Sequence, residues 1–252
     1  MIDRRSVGLG VAAALIGSRA RAAPDAPVFT SGPMARNTLA ASFKAPPTAL
    51  ALPDTTLLGA HGPQKLSALR GKTYLVSLWA EWCAPCLEEA TDLAAIDRSH
   101  GGPSFQVIFV LTNSFKKLDL AAAQAVMAKR GAGDTTLLIE PDGKDAVFQA
   151  LAMQDYPDAL RQVMKTSRGA SLPCNLLVDR HGRVRARSFG VVGSTRVVVA
   201  GTSPAASPAG TVTSRPLTDA DKARLLTEHT PWASPVGAEF AAALAAGLLE
   251  KA

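Results

Sequence analysis

The chain has 252 residues, enough for one domain or two, and 47% of them are apolar, ample for a sizeable core. Net charge is +6. Arg4, Arg5, Arg19 and Arg21 against Asp3 hold half of that, and the remainder is too mild, with no basic stripe carrying aromatics, to point to nucleic acid.

Residues 1–22 read as an export signal. Arg4 and Arg5 give a basic start, residues 7–16 a short apolar run, and Ala20-Arg21-Ala22 a small-residue cleavage site. The run is much shorter than the roughly 18–20 residues a spanning helix needs, so no transmembrane segment is expected in the mature chain. The adjacent arginines followed by Ser6-Val7 resemble a twin-arginine signal, which places the protein in the periplasm.

Residues 23–48, rich in Ala, Pro, Ser and Thr, read as a flexible linker. One domain is expected over 49–252. Its entry, from Leu52-Pro53-Asp54 to Gly71-Lys72, fits two short strands. Tyr74 to Leu78 is apolar and reads as a buried central strand. A helix is expected from Leu87 to Arg98, ended by Gly101-Gly102-Pro103. Phe105 to Leu111 predicts a second strand, Leu118 to Arg130 a helix, and Thr135 to Ile139 a short added strand. Residues of about 134–170 form an insertion, with one or two helices over 144–166 broken near Tyr156-Pro157. Asn175 to Val178, the turn Asp179-Arg180-His181-Gly182, and Val184 to Ser188 predict a hairpin. Val191 to Val199 fits a further strand, about 200–216 a mobile loop, Asp219 to Thr227 a short helix, and Val236 to Leu249 a closing amphipathic helix.

The chemistry concentrates in Trp79-Ala80-Glu81-Trp82-Cys83-Ala84-Pro85-Cys86. Strand, Cys-x-x-Cys, then helix is the context in which such a pair reads as redox-active. A cysteine at the first turn of a helix faces unpaired N–H groups and the positive end of the dipole, both of which favour thiolate. The dipole supplies up to ~2 kcal/mol, which lowers a thiol from ~8.5 to roughly 7. Pro85 suits a first-turn position, where its missing N–H costs nothing. Cys83 is the expected nucleophile and Cys86 the resolving thiol. A zinc site would need two more ligands. Cys174, His61, His100, His181 and His229 offer no second paired spacing, so neither metal nor cofactor is expected. Cys174 reads as a buried apolar residue, with a third thiol near Cys83 as its sharper alternative.

The stretch Tyr74 to Cys86 resembles the active-site strand and motif of thioredoxins, and about 49–190 resembles the TlpA/ResA-like thiol–disulfide oxidoreductases. The resemblance implies an α/β fold of thioredoxin-like type, a central mixed sheet flanked by helices, with an N-terminal hairpin, a helical insertion and a cis-proline loop. It makes Pro173, after Leu172, the cis-proline, with Leu172, Pro173 and Trp82 touching substrate. It also gives Glu89, three residues after Cys86, a proton-shuttling role. Thioredoxins carry their buried acid on the preceding strand, where this chain has Ser77. The implied activity is protein-disulfide reduction, as in cytochrome c or copper-centre assembly, with client protein disulfides and an upstream thiol donor as partners. A peroxiredoxin is excluded because Val76 and Ala80 stand where its motif wants Pro and Thr. A copper-delivery protein using the same thiolates is the alternative from another class.

Overall fold

In the computed structural model, residues 28–46, 49–141, 145–153, 172–189 and 231–251 are described. Eight strands form one sheet: β1 (Leu50–Ala51), β2 (Thr56–Gly59), β3 (Gly62–Lys65), β4 (Thr73–Trp79), β5 (Phe105–Leu111), β6 (Thr136–Ile139), β7 (Cys174–Val178) and β8 (Arg183–Phe189). Their order is β1-β8-β7-β4-β5-β6-β2-β3. Among the described residues the α-helices are α1 (Thr38–Ala41), α2 (Ala84–His100), α3 (Leu120–Ala128), α4 (Pro235–Ala245) and α5 (Leu248–Lys251).

β4 is buried at all seven positions. That is the signature of a strand covered on both faces, and its Tyr-Leu-Val-Ser-Leu-Trp run suits the place. β5 lies parallel to it, with Ser77 opposite Phe109, and β6 parallel to β5. α2 and α3 supply the two crossovers that parallel pairing demands. β7 runs antiparallel on the other side of β4, pairing Ser77 with Asn175 and Leu78 with Cys174. β8 follows through the turn at Asp179, where Gly182 takes φ 78°. The entry segment serves both margins of the sheet: β1 pairs with β8, while the β2–β3 hairpin pairs with β6. This mixed sheet with helices packed against it is a thioredoxin-like fold.

α2 buries Cys86, Leu87, Glu89, Ala90, Leu93, Ala94 and Ile96, a three-to-four spacing that lays one face on the sheet. Arg98 in its last turn complements the dipole. The closing helix is shorter than expected. It stops at Ala245 and restarts as α5 after Gly247, whose φ of 82° breaks the run. The π-helical turn Phe148–Ala152 is the described part of the expected helical insertion. The helix break at Tyr156-Pro157, the strand over 191–199, the loop over 200–216, the helix over 219–227 and the export signal lie outside the described residues.

The linker reading of 23–48 needs correction over its described part. Phe29, Met34, Leu39 and Phe43 are buried. Phe29 and Phe43 meet Phe240 of α4 at ring separations of 5.4 and 5.5 Å, and Phe43 meets Trp232 at 6.0 Å. Asn37 caps α1 by accepting from the Ala40 N–H at 2.9 Å and donates to the Val236 carbonyl at 3.0 Å. Lys44 bridges to Arg187 of β8. Burying each such side chain stabilises by about 1.5–3 kcal/mol, so this segment is part of the core.

Candidate active site

β4 ends at Trp79, and the chain turns through Ala80-Glu81-Trp82 to put Cys83 at the N-cap of α2. The Cys83 N–H bonds the Ala80 carbonyl at 3.0 Å. Cys83 and Cys86 are joined in a disulfide. The Cys86 N–H, one of the first-turn donors with no partner inside the helix, points to Cys83 Sγ at 3.3 Å. In the dithiol the same donor and the dipole favour a Cys83 thiolate. Ala84 and Pro85 occupy the first two helical positions.

Both cysteines are covered, each 3% exposed, although Ala84 beside them is exposed and Pro85 half-buried. Trp82, half-buried, stacks on Phe115 with centroids 5.2 Å apart and planes at 16°. Phe115 and Phe189 are the two large apolar side chains exposed among the described residues, each 40%. The Trp82 Nε1–H donates to the Asn113 carbonyl at 2.7 Å. Glu81 Oε1 accepts from the Lys116 N–H at 2.8 Å, and Asp145 Oδ1 from the Asn113 N–H at 2.7 Å. Asn113 takes φ 49°, a left-handed conformation that asparagine tolerates. The loop after β5 is thus pinned to the active-site turn from both ends. Glu81 and Trp82 hold that loop as well as flank the cysteine. Phe115, Asn113 and Asp145 escaped the sequence reading. The one signal for Phe115 was an aromatic set in a polar loop at the carboxyl end of a parallel strand.

The Leu172–Pro173 peptide bond is cis and both residues are buried. They directly precede Cys174, which pairs with Leu78, so they lie at the β4 end from which the Ala80–Cys83 turn departs. Cys174 itself is 0% exposed, and burial pushes its thiol well above the ordinary range. Neighbouring strand residues face opposite sides, so Cys174 lies on the sheet face away from Asn175 and α2. The buried cysteine expected from the sequence is what stands there.

Glu89 is 0% exposed, one helical turn beyond Cys86. Its Oε2 accepts from Asn175 Nδ2 at 2.9 Å. Ser77, facing Asn175 across the ladder, is 2% exposed. The buried acid of this region therefore stands on α2, and the facing position on β4 carries Ser77. Asn175 had no sequence signal beyond being a polar residue in an apolar strand.

The Redoxin family model matches residues 46–200. The chain belongs to the Redoxin family. That match takes in β4, the cysteine pair and the cis-proline loop. Among solved structures, a thiol:disulfide interchange protein of the thioredoxin family from Chlorobium tepidum is similar at 19% identity, over 57% of this chain and 87% of that one, with a TM-score of 0.41. A secreted Mycobacterium tuberculosis disulfide oxidoreductase is similar at 20% identity, over 53% and 81%, with a TM-score of 0.37.

Proposed function

We propose that this Redoxin-family protein is a periplasmic thiol–disulfide oxidoreductase that reduces disulfides in client proteins through the Cys83–Cys86 dithiol. The observation that carries the reading is the cysteine pair at the start of α2, bonded to each other, with the Cys86 N–H aimed at Cys83 Sγ. The Cys83 thiolate attacks a client disulfide, forming a mixed disulfide and releasing one client thiolate. Cys86 then gives its proton to Glu89, attacks Cys83 Sγ, closes the ring and releases the second client thiolate. Two electrons pass from the dithiol to the client, and an upstream thiol donor restores the dithiol. Trp82, Leu172 and Pro173 form the rim against which the client peptide lies. Because both sulfurs are covered, the incoming peptide displaces part of that rim before exchange.

Residues 1–22 supply the twin-arginine-type leader that takes the chain out of the cytoplasm. The family resemblance supports cytochrome c or copper-centre assembly as the setting. The test is turnover of a disulfide-bonded peptide by wild type and Cys83→Ser. Wild-type turnover with none in the variant supports the reading; equal rates contradict it.

A further inference from the structure

Across the sheet face under α2 runs one row of paired residues: Ser188 on β8, Asn175 on β7, Ser77 on β4 and Phe109 on β5. The three polar members are 3%, 0% and 2% exposed. Only one bond from this row to Glu89 is formed, Asn175 Nδ2 to Oε2 at 2.9 Å. Asn175 Oδ1 and Ser188 Oγ are buried and find no hydrogen-bond partner among the described residues. A buried acceptor left unmade costs about 1–3 kcal/mol, so the row carries bonding capacity that the state seen here does not use.

The chemistry of Glu89 accounts for that capacity. A carboxylate only accepts, whereas a carboxylic acid also donates one O–H; a primary amide carries both a donor and an acceptor on one planar group. We propose that Asn175 is the positioning residue of Glu89 in both of its protonation states: its Nδ2–H holds the carboxylate, and after a half-turn of the amide its Oδ1 accepts from the acid. The inference rests on the role given to Glu89 under the proposed function and extends it. When Cys86 passes its proton to Glu89, the acid gains an O–H to donate inside a dry site. The turned amide offers it Oδ1, the acceptor that stands unused in the oxidised state. When the proton leaves, the amide turns back. No other titratable side chain in the row competes for the proton. On its own helix Glu89 has Cys83 and Cys86 within the preceding turns and exposed Glu88 beside it. From the elements packed on α2, Trp232 is neutral and the one titratable group of α4, Glu239, is exposed.

The test is the titration of the Glu89 carboxyl in the oxidised full-length protein, followed by NMR with isotope-labelled glutamate and assigned with Glu89→Gln. Asn175→Thr and Asn175→Val are the same shape and suit a strand, but only threonine keeps a group that can donate and accept. The valine variant is expected to titrate about one to two pH units above the threonine variant, since the carboxylate loses its charged hydrogen bond. The threonine variant should stay near wild type. Equal midpoints in the two variants overturn the proposal. If Asn175→Val gives no cooperative melt, Asn175→Asp takes its place: it removes the donor, adds a second carboxyl and should raise the midpoint, and an unmoved midpoint again overturns the proposal. The titration involves no turnover, so it can fail while the Cys83→Ser result stands, and the reverse.

Discussion

Replacing Asp179 by alanine removes the anchor of the β7–β8 hairpin, the element that carries Leu172–Pro173 at its other end. The carboxyl is fully buried. Its Oδ1 accepts the His181 and Arg183 N–H groups at 2.9 and 3.0 Å, and its Oδ2 takes Arg183 Nε at 2.7 Å and Arg185 Nη1 at 3.5 Å. Burial works against the charge, yet the Arg183 and His181 backbone N–H groups and the Arg183 side chain outweigh it and hold the carboxyl below its ordinary value. A hydrogen bond to a charged group is worth about 1.5–3 kcal/mol. Arg183 is largely solvent-exposed, so its ion pair adds under about 1 kcal/mol. Taking the two main-chain bonds at the low end gives a loss of about 3 kcal/mol. At roughly 2–4 °C per kcal/mol for a chain of this size, the melting temperature should fall by about 6–12 °C at pH 7. The sign with pH is fixed by linkage. A carboxyl lowered in the folded state stabilises above the unfolded value, ~3.9, and loses that stabilisation as pH falls through the folded value. The gap between wild type and Asp179→Ala should thus be constant near neutrality and shrink below about pH 4. Circular-dichroism melts across pH 3–7 read both. An unchanged melting temperature at pH 7, or a gap that widens in acid, refutes the reasoning.

Two further outcomes follow from the geometry. Phe43→Ala should cost about 3–5 kcal/mol in urea unfolding, because Phe43 is fully buried against Trp232 and Phe240; a wild-type midpoint would restore the linker reading of that segment. Alkylation of the native reduced protein should leave Cys174 unmodified while denatured protein reacts at all three cysteines, and Cys174→Ala should keep wild-type thiol–disulfide exchange turnover. A Cys174 adduct at the native rate of Cys83 contradicts its assignment as an inert core thiol.

What the sequence made legible was local. The apolar run of β4, the cysteine spacing and Pro85 depend on neighbours in the chain, and each stands in the structure where the pattern put it. The Asp179–Gly182 turn is equally local, since Gly182 needs its positive φ whatever surrounds it. The unread features depend on distant partners. Residues 28–46 look like linker because their apolar side chains follow no helical or strand period; they are ordered by α4, some 200 residues on. Trp82 and Phe115 meet only because β4 and β5 lie side by side, which brings the loops at their carboxyl ends together. Asn175 acquires its meaning from Glu89, 86 residues away, and no spacing rule links a strand amide to a helix acid. The split entry segment, with β1 on one margin and the β2–β3 hairpin on the other, is likewise set by where β8 and β6 leave their edges open.

The most direct measurement uses Cys86→Ser, which stops the exchange after its first step. Reduced variant mixed with a disulfide-linked dimer of a one-cysteine peptide, then digested and weighed, should hold one peptide chain on Cys83, with no adduct when Cys83→Ser is added. If no mixed disulfide forms, or if the peptide is found on Cys174, the cysteine pair at the head of α2 is not the centre of this protein's chemistry.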